Sequence, residues 1–512
     1  MIKKLLCLMG VWIIGMGGMA YAQWQEAEPL AIHSGEAYYD GKEMVLMGQV
    51  VVEHGLGRIS ARRFSFVPAV RASHEGKSAI LKISEDVHIE LTEGGLLRCQ
   101  RALVDYANMN AIFLGSEACP DVVYFDAIGS REETLDKKVP VELKSNEIEL
   151  RFVREPVLGG SSKLVVSEIK ANRNVRISYD QDYALQANCV LYRLPKGLPS
   201  EENAIIRALA DPEGSSDCQI TYRKGDRILA KTIEVEVEKR LLRLTSPQGV
   251  LSIQNHEGVP HSLAFSSDTL LWEEREQKFL LSGAVRLKHN EALQLNTDHE
   301  LSILYAVHND EKKLRRIHSS RATTLLYLDD RQENNRHIVC PGSLMIDHER
   351  QIIVLEGERR ASPAGGQQVY VEDAMGEMYA DRVQIDYNWE GRRLVPTKVL
   401  LEGDVRLHNR FDGHQEESSS ILHYALADRV DYWPARREML LDGSKGRRVL
   451  FLDKVNNVQM SAPSLTVRYD TASKKEVVHG MGDVRFTFIE RELLQWEQHF
   501  LSEESHDAAI RK

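Results

Sequence analysis

Beyond residue 22 this 512-residue chain has no run approaching the roughly 18 to 20 uncharged apolar residues of a membrane helix, so none is expected there. Positive charge is also short: 65 lysines and arginines face 76 aspartates and glutamates, a net of −11. Binding to nucleic acid, which draws on lysine and arginine neutralising phosphates, is disfavoured. Cysteine is sparse, six in all and without a C-x-x-C pair, so the spacing identifies neither a disulfide framework nor a metal ribbon.

The motifs of common chemistries are missing too. "GDRILAKT" (Gly225 to Thr232) has Ala230 where a phosphate loop needs its second glycine, and it alternates like a strand. "HEGVPH" (His256 to His261) spaces its histidines by five with Pro260 between, which does not fit a zinc-protease helix. "GGSSK" (Gly159 to Lys163) lacks the hydrolase elbow, and no carboxylate pair is singled out by its spacing. No catalytic residue, metal set or cofactor site is therefore expected, and the chain does not read as an enzyme.

What is present begins with Lys3 and Lys4, the apolar run Leu5 to Met19 and the small-x-small site Ala20, Tyr21, Ala22. That layout predicts a signal peptide over 1–22 and an exported, soluble mature chain. Its removal takes two lysines and no acid, so the net charge becomes −13 (−11 − 2). Cys7 leaves with it. Cys99, Cys119, Cys189, Cys218 and Cys340 remain, and we expect buried, unpaired thiols.

Most of the remainder alternates apolar and polar residues over five to eight positions between turn residues, the pattern of half-buried antiparallel strands. "ADRVQIDY" (Ala380 to Tyr387) is followed by a turn and by "TKVLLEGDVRLHN", in which Leu401, Gly403, Val405 and Leu407 share one face by period two. The phrase recurs as "LMGQVVVEH" (Leu46 to His54), "LLSGAVRLKH" (Leu280 to His289) and "GMGDVRFTF" (Gly480 to Phe488), with looser copies at Ser84 to Leu91 and Asn172 to Tyr179. The glycines at Gly48, Gly283, Gly403 and Gly482 therefore occupy equivalent strand-interior places, where glycine marks a bend, a bulge or a close backbone approach. Three stretches read as loops: Ser116 to Pro140, Pro195 to Asp217 with one short helix, and Arg359 to Gln368. They divide the mature chain into β modules over 23–194, 205–358 and 369–488. A tail over 489–512 follows, with Ile489, Leu493, Trp496 and Phe500 spaced as an amphipathic helix.

The paired halves A-[DP]-x-[VL]-x-[VI]-x-Y and h-x-G-x-V-x-[LF] resemble the OstA-like family of periplasmic lipopolysaccharide-transport proteins. The resemblance covers Gly35 to Phe66, Thr269 to Leu287 and Ala380 to Phe488. It implies an all-β protein of tandem V-shaped β-jelly-roll modules, located in the periplasm, with association with the outer membrane as a further expectation. It also implies lipopolysaccharide or lipooligosaccharide as partner, and other envelope proteins joined by sheet-edge addition. The chain departs from the family in length, with about three modules where a bridge protein has one.

On this resemblance Val50, Val52, Val285, Leu287, Leu401, Val405, Leu407, Val484, Phe486 and Phe488 point inward, either lining a lipid trough or filling a dry core. Arg392 and Arg393 are candidates for lipid phosphates, or else solvated turn charges. Burial of acyl chain yields about 0.8 kcal/mol per CH₂ against water and nothing against a bilayer, so transport would be passive. A scaffold of an outer-membrane assembly and a β-helix-like polysaccharide-active enzyme are the alternatives.

Overall fold

The computed structural model describes residues 31–488 apart from short breaks, the longest being 68–79, 130–137, 194–204, 328–335, 359–366 and 411–420. The expected signal peptide and C-terminal helix lie outside the described residues. The chain divides into two compact units, one of residues 1–252 with 268–279, the other of 253–267 with 280–512. Both are built from antiparallel strands, and the fold is all-β and jelly-roll-like. A single 3₁₀ turn, Pro434–Arg436, supplies the helical content among the described residues.

Within each unit the chain lays hairpins alternately on two ladders of strands. In the second unit one ladder runs from Pro260–Ser266 through Val285–His289, Leu293–Thr297, Thr323–Tyr327, Arg336–Cys340, Val369–Asp373 and Gly376–Ala380. The other runs from Glu300–His308 through Glu311–Ser319, Leu344–Asp347, Ile352–Glu356 and Arg382–Glu390. The 18-residue strand Arg393–Arg410 belongs to both, pairing Arg382–Glu390 with its first half and Gly376–Ala380 with its second. In the first unit Tyr183–Arg193 does the same, against Cys218–Tyr222 and then Ile205–Leu209.

Where a long strand changes ladder, two residues oppose one. Gly403 and Asp404 fall between the pairs Glu402↔Arg429 and Val405↔Ala427, leaving Asp428 alone opposite them. The same two-for-one bulge sits at Gly48 and Gln49, at Glu85 and Asp86, and at Arg173 and Asn174. Left-handed backbone is the common cause. Gly48, Gly283, Gly403 and Gly482 have φ of 93°, 72°, 81° and 87°, and the degenerate copies force Glu85, Asp86, Arg173 and Asn174 into the same region. At Gly403 a Cβ would also run into the side chain of Asp381, the residue whose backbone N–H donates to the Gly403 carbonyl at 3.0 Å. The repeated glycine is thus the crease at which the sheet turns.

Two loop expectations give way to strands. Residues 116–140 contain Val122–Gly129 and the start of Lys138–Ser145, which pair with each other. In place of a short helix, "IIRAL" forms the strand Ile205–Leu209, because Ile206 and Ala208 alternate inward against Val190 and Tyr192. That strand continues the ladder from Tyr183–Arg193 to Thr232–Glu236.

Candidate functional site

Register aligns the apolar positions of successive strands into continuous rows. In the second unit one row begins Phe265, Leu287, Leu295, Leu325, Ile338, Val371. It continues through Met378, Leu407, Ala425, Phe451 and Met460 to Phe486. Twelve strands contribute without a charged residue. Leu401 stands in a matching row of the other ladder, between Val383 and Val430, which continues to Leu441 and Leu465. The first unit has its own rows, one passing from Ala102 through Phe113, Ile148, Ala171, Val190, Ala208 and Ile233 to Leu244 and Leu270. Strands lie about 4.8 Å apart, so each row is an apolar stripe running across the strands.

The expected inward residues take different places along these rows. Val50, Val52, Val285, Leu287, Leu401 and Val405 are buried, Val405 completely at 0% exposure. Leu407 and Val484 are half-buried. Phe486, on the last described strand, is 52% exposed, because no described strand pairs beyond Arg485–Phe488. Phe488 pairs with Val458 through the backbone, and its side chain lies outside the description. Arg392 also lies outside the described residues; Arg393 is exposed where its strand leaves the hairpin with Glu390.

The outer faces are polar. Arg382 Nη1 meets Glu402 Oε2 at 2.6 Å, and Arg429 and Lys398 both reach the Asp431 carboxylate at 2.7 Å. The Arg429 guanidinium, against the cost of burial, holds Asp431 below the usual carboxylate range.

Alternation did not reveal a buried polar cluster in the second unit. His261 and His289 come from one ladder, and His348, Tyr387 and Trp389 from the other. His261 Nδ1 lies 2.9 Å from His289 Nε2, and the Tyr387 hydroxyl lies 2.9 Å from His348 Nδ1. Trp389 touches all three imidazoles, with centroid separations of 4.7, 5.2 and 6.2 Å, and is stacked on His348. Burial, then the neighbouring His348 and His261, hold His289 well below the ordinary imidazole value and therefore neutral. His289 Nδ1 and Trp389 Nε1 have no hydrogen-bond partner among the described residues. Beside the cluster, burial pushes the Asp347 carboxyl up, but the Arg350 N–H and the Arg316 guanidinium bring it below its usual range.

All five described cysteines are free. No group of three or more His, Cys, Asp or Glu among the described residues is placed to hold a metal ion, and no helix among them is long and apolar enough to cross a membrane.

No family model matches the chain, and no curated protein matches it. Among solved structures it is similar to the crystal structure of LptH, the LptA-homologous periplasmic component of the lipopolysaccharide transport device of Pseudomonas aeruginosa. Identity is 10%, the match covers 30% of this chain and 94% of that one, and the TM-score is 0.22.

Proposed function

We propose that the protein is a periplasmic, non-catalytic bridge that shields the acyl chains of lipopolysaccharide or lipooligosaccharide on their way to the outer membrane. The observation that carries this reading is the uninterrupted row from Phe265 to Phe486. Twelve apolar side chains in register form a hydrocarbon-like path crossing many strands, and its last residue is exposed. A fold that needed only a core could break such a row with any satisfied polar group. A path that must stay favourable to an acyl chain at every step cannot, since each CH₂ returned to water costs about 0.8 kcal/mol. Such a path moves lipid passively, beside a driven machine, because its gain over a bilayer is near zero.

The near-complete burial of Val285, Leu287, Leu401 and Val405 favours a second reading, a scaffold of an outer-membrane assembly whose interior is filled by its own side chains. A photo-crosslinking residue placed at Leu407, half-buried within the row, separates the two. The lipid reading expects a lipopolysaccharide adduct in growing cells, weaker at outward-facing Arg406. Protein adducts at Leu407 with no lipid adduct would establish the scaffold instead.

A further inference from the structure

The histidine cluster lies far along its strands from the crease. His289 is six positions from Gly283, and Trp389 pairs with Leu394, nine positions from Gly403. At about 3.3 Å per residue these are distances of roughly 20 and 30 Å. Near the crease the two ladders are held together by strands they share; away from it, side chains must do so. We propose that His261, His289, His348, Tyr387 and Trp389 form an acid-released clasp between the two ladders of the second unit, away from the strand they share, holding them together when the imidazoles are neutral. The clasp does not depend on what the interior carries.

Several elements face the cluster, and few offer a counter-charge. Pro260–Ser266 brings His261. Val285–His289 brings His289, with Arg286 and Lys288 turned outward. The adjacent Leu293 is apolar, and the next strand brings Tyr327, whose hydroxyl donates to the Leu394 carbonyl and whose ring lies under Arg336. The turn after Leu344–Asp347 brings His348 and Asp347, the latter engaged by Arg316 Nη2 at 3.0 Å. Arg382–Glu390 brings Tyr387 and Trp389, and Glu311–Ser319, the strand of Arg316, also buries Lys312.

Since Asp347 is already paired, an imidazolium at His289 would meet two further histidines and no unpaired carboxylate among these groups. A proton therefore binds more readily once the clasp has opened. The sign follows: above about pH 6.5 closed and open forms are both neutral. As pH falls below that value the open form gains a proton at His289 that the closed form does not, and closure weakens, by up to about tenfold per pH unit, until the lowered value in the closed form is reached. The paired carboxylates Asp347 and Asp431, depressed below their ordinary value near 3.8, act only at lower pH.

Amide hydrogen exchange on the full mature chain, corrected for the intrinsic effect of pH, tests the clasp. Between pH 7.5 and 5.5 protection should fall about tenfold in Val285–His289 and Arg382–Glu390, while Glu438–Asp442 keeps its protection. His289→Leu should abolish the pH response of both strands. Should that variant fail to fold, His348→Leu is expected to reduce the response at least threefold. Protection that is flat with pH in the unaltered protein, lost equally at Glu438–Asp442, or still tenfold sensitive in the variants overturns the proposal.

Discussion

At the residue scale the fold turns on a few left-handed positions. Gly403 has φ 81° and faces the Asp381 side chain, so two costs coincide on substitution. A non-glycine residue in this region costs about 1–2 kcal/mol, and a methyl forced into occupied space costs about 1–3 more. Gly403→Ala should therefore destabilise the protein by about 2–5 kcal/mol in urea unfolding, more than Gly391→Ala in an open hairpin turn, where a Cβ meets nothing. Equal costs would show that the Asp381 contact contributes nothing. The glycine creases were legible in the sequence because a weak strand former recurred in the same phrase. Those at Glu85–Asp86 and Arg173–Asn174 were legible only as looser copies of that phrase, since neither pair announces a positive φ by its residue types. Asp and Asn tolerate the conformation by bonding locally, whereas Glu85 and Arg173 are held there by the surrounding ladder.

At the scale of the element, period two identified most strands and then failed at the crease. Val430 and Ala427 are three apart on one strand and both buried, as are Ala61 and Phe64, and Cys99 and Ala102. Strict alternation forbids this. It arises because each strand leaves one ladder and enters another at the bulge, so the inward face changes parity. The rows could not be read from the sequence either, because register is a property of pairs of strands. The histidine cluster escaped for the same reason: "HEGVPH", "VRLKH" and "IDHER" each look like ordinary strand ends until the ladders bring them together. Leu401 tests what the rows enclose. It is 1% exposed, between Val383 and Val430. If its surroundings are filled by protein, Leu401→Ala should lower the unfolding free energy by about 2–4 kcal/mol, transfer and cavity together. A loss below about 1.5 kcal/mol, regained on adding a detergent below its micelle concentration, would indicate an interior that hydrocarbon can enter.

At the scale of the whole molecule, the proposed periplasmic location sets a requirement: the five described thiols must be protected by structure, because an oxidising compartment otherwise joins them. Burial does so at three positions. It pushes the Cys99 and Cys218 thiols up to about 12 and Cys340 up to about 11, far above the value at which a thiolate forms near neutrality. Cys189 is half-buried, and burial raises it too; Cys119 is exposed, in a turn where its N–H donates to Ser116 Oγ at 3.1 Å. Since the thiolate is the reacting species, a thiol one unit higher in pKa presents about tenfold less of it at pH 7.5. A disulfide reagent added to the folded protein should therefore modify Cys119 first and Cys189 slowly among the described cysteines. Cys99, Cys218 and Cys340 should react only as the ladders open, at rates that follow unfolding in denaturant. Peptide mapping of the labelled sites reads the order directly. Fast modification of Cys218 or Cys99 at pH 7.5 without denaturant would mean that reagent enters the interior of the first unit, and that its rows are accessible and not sealed.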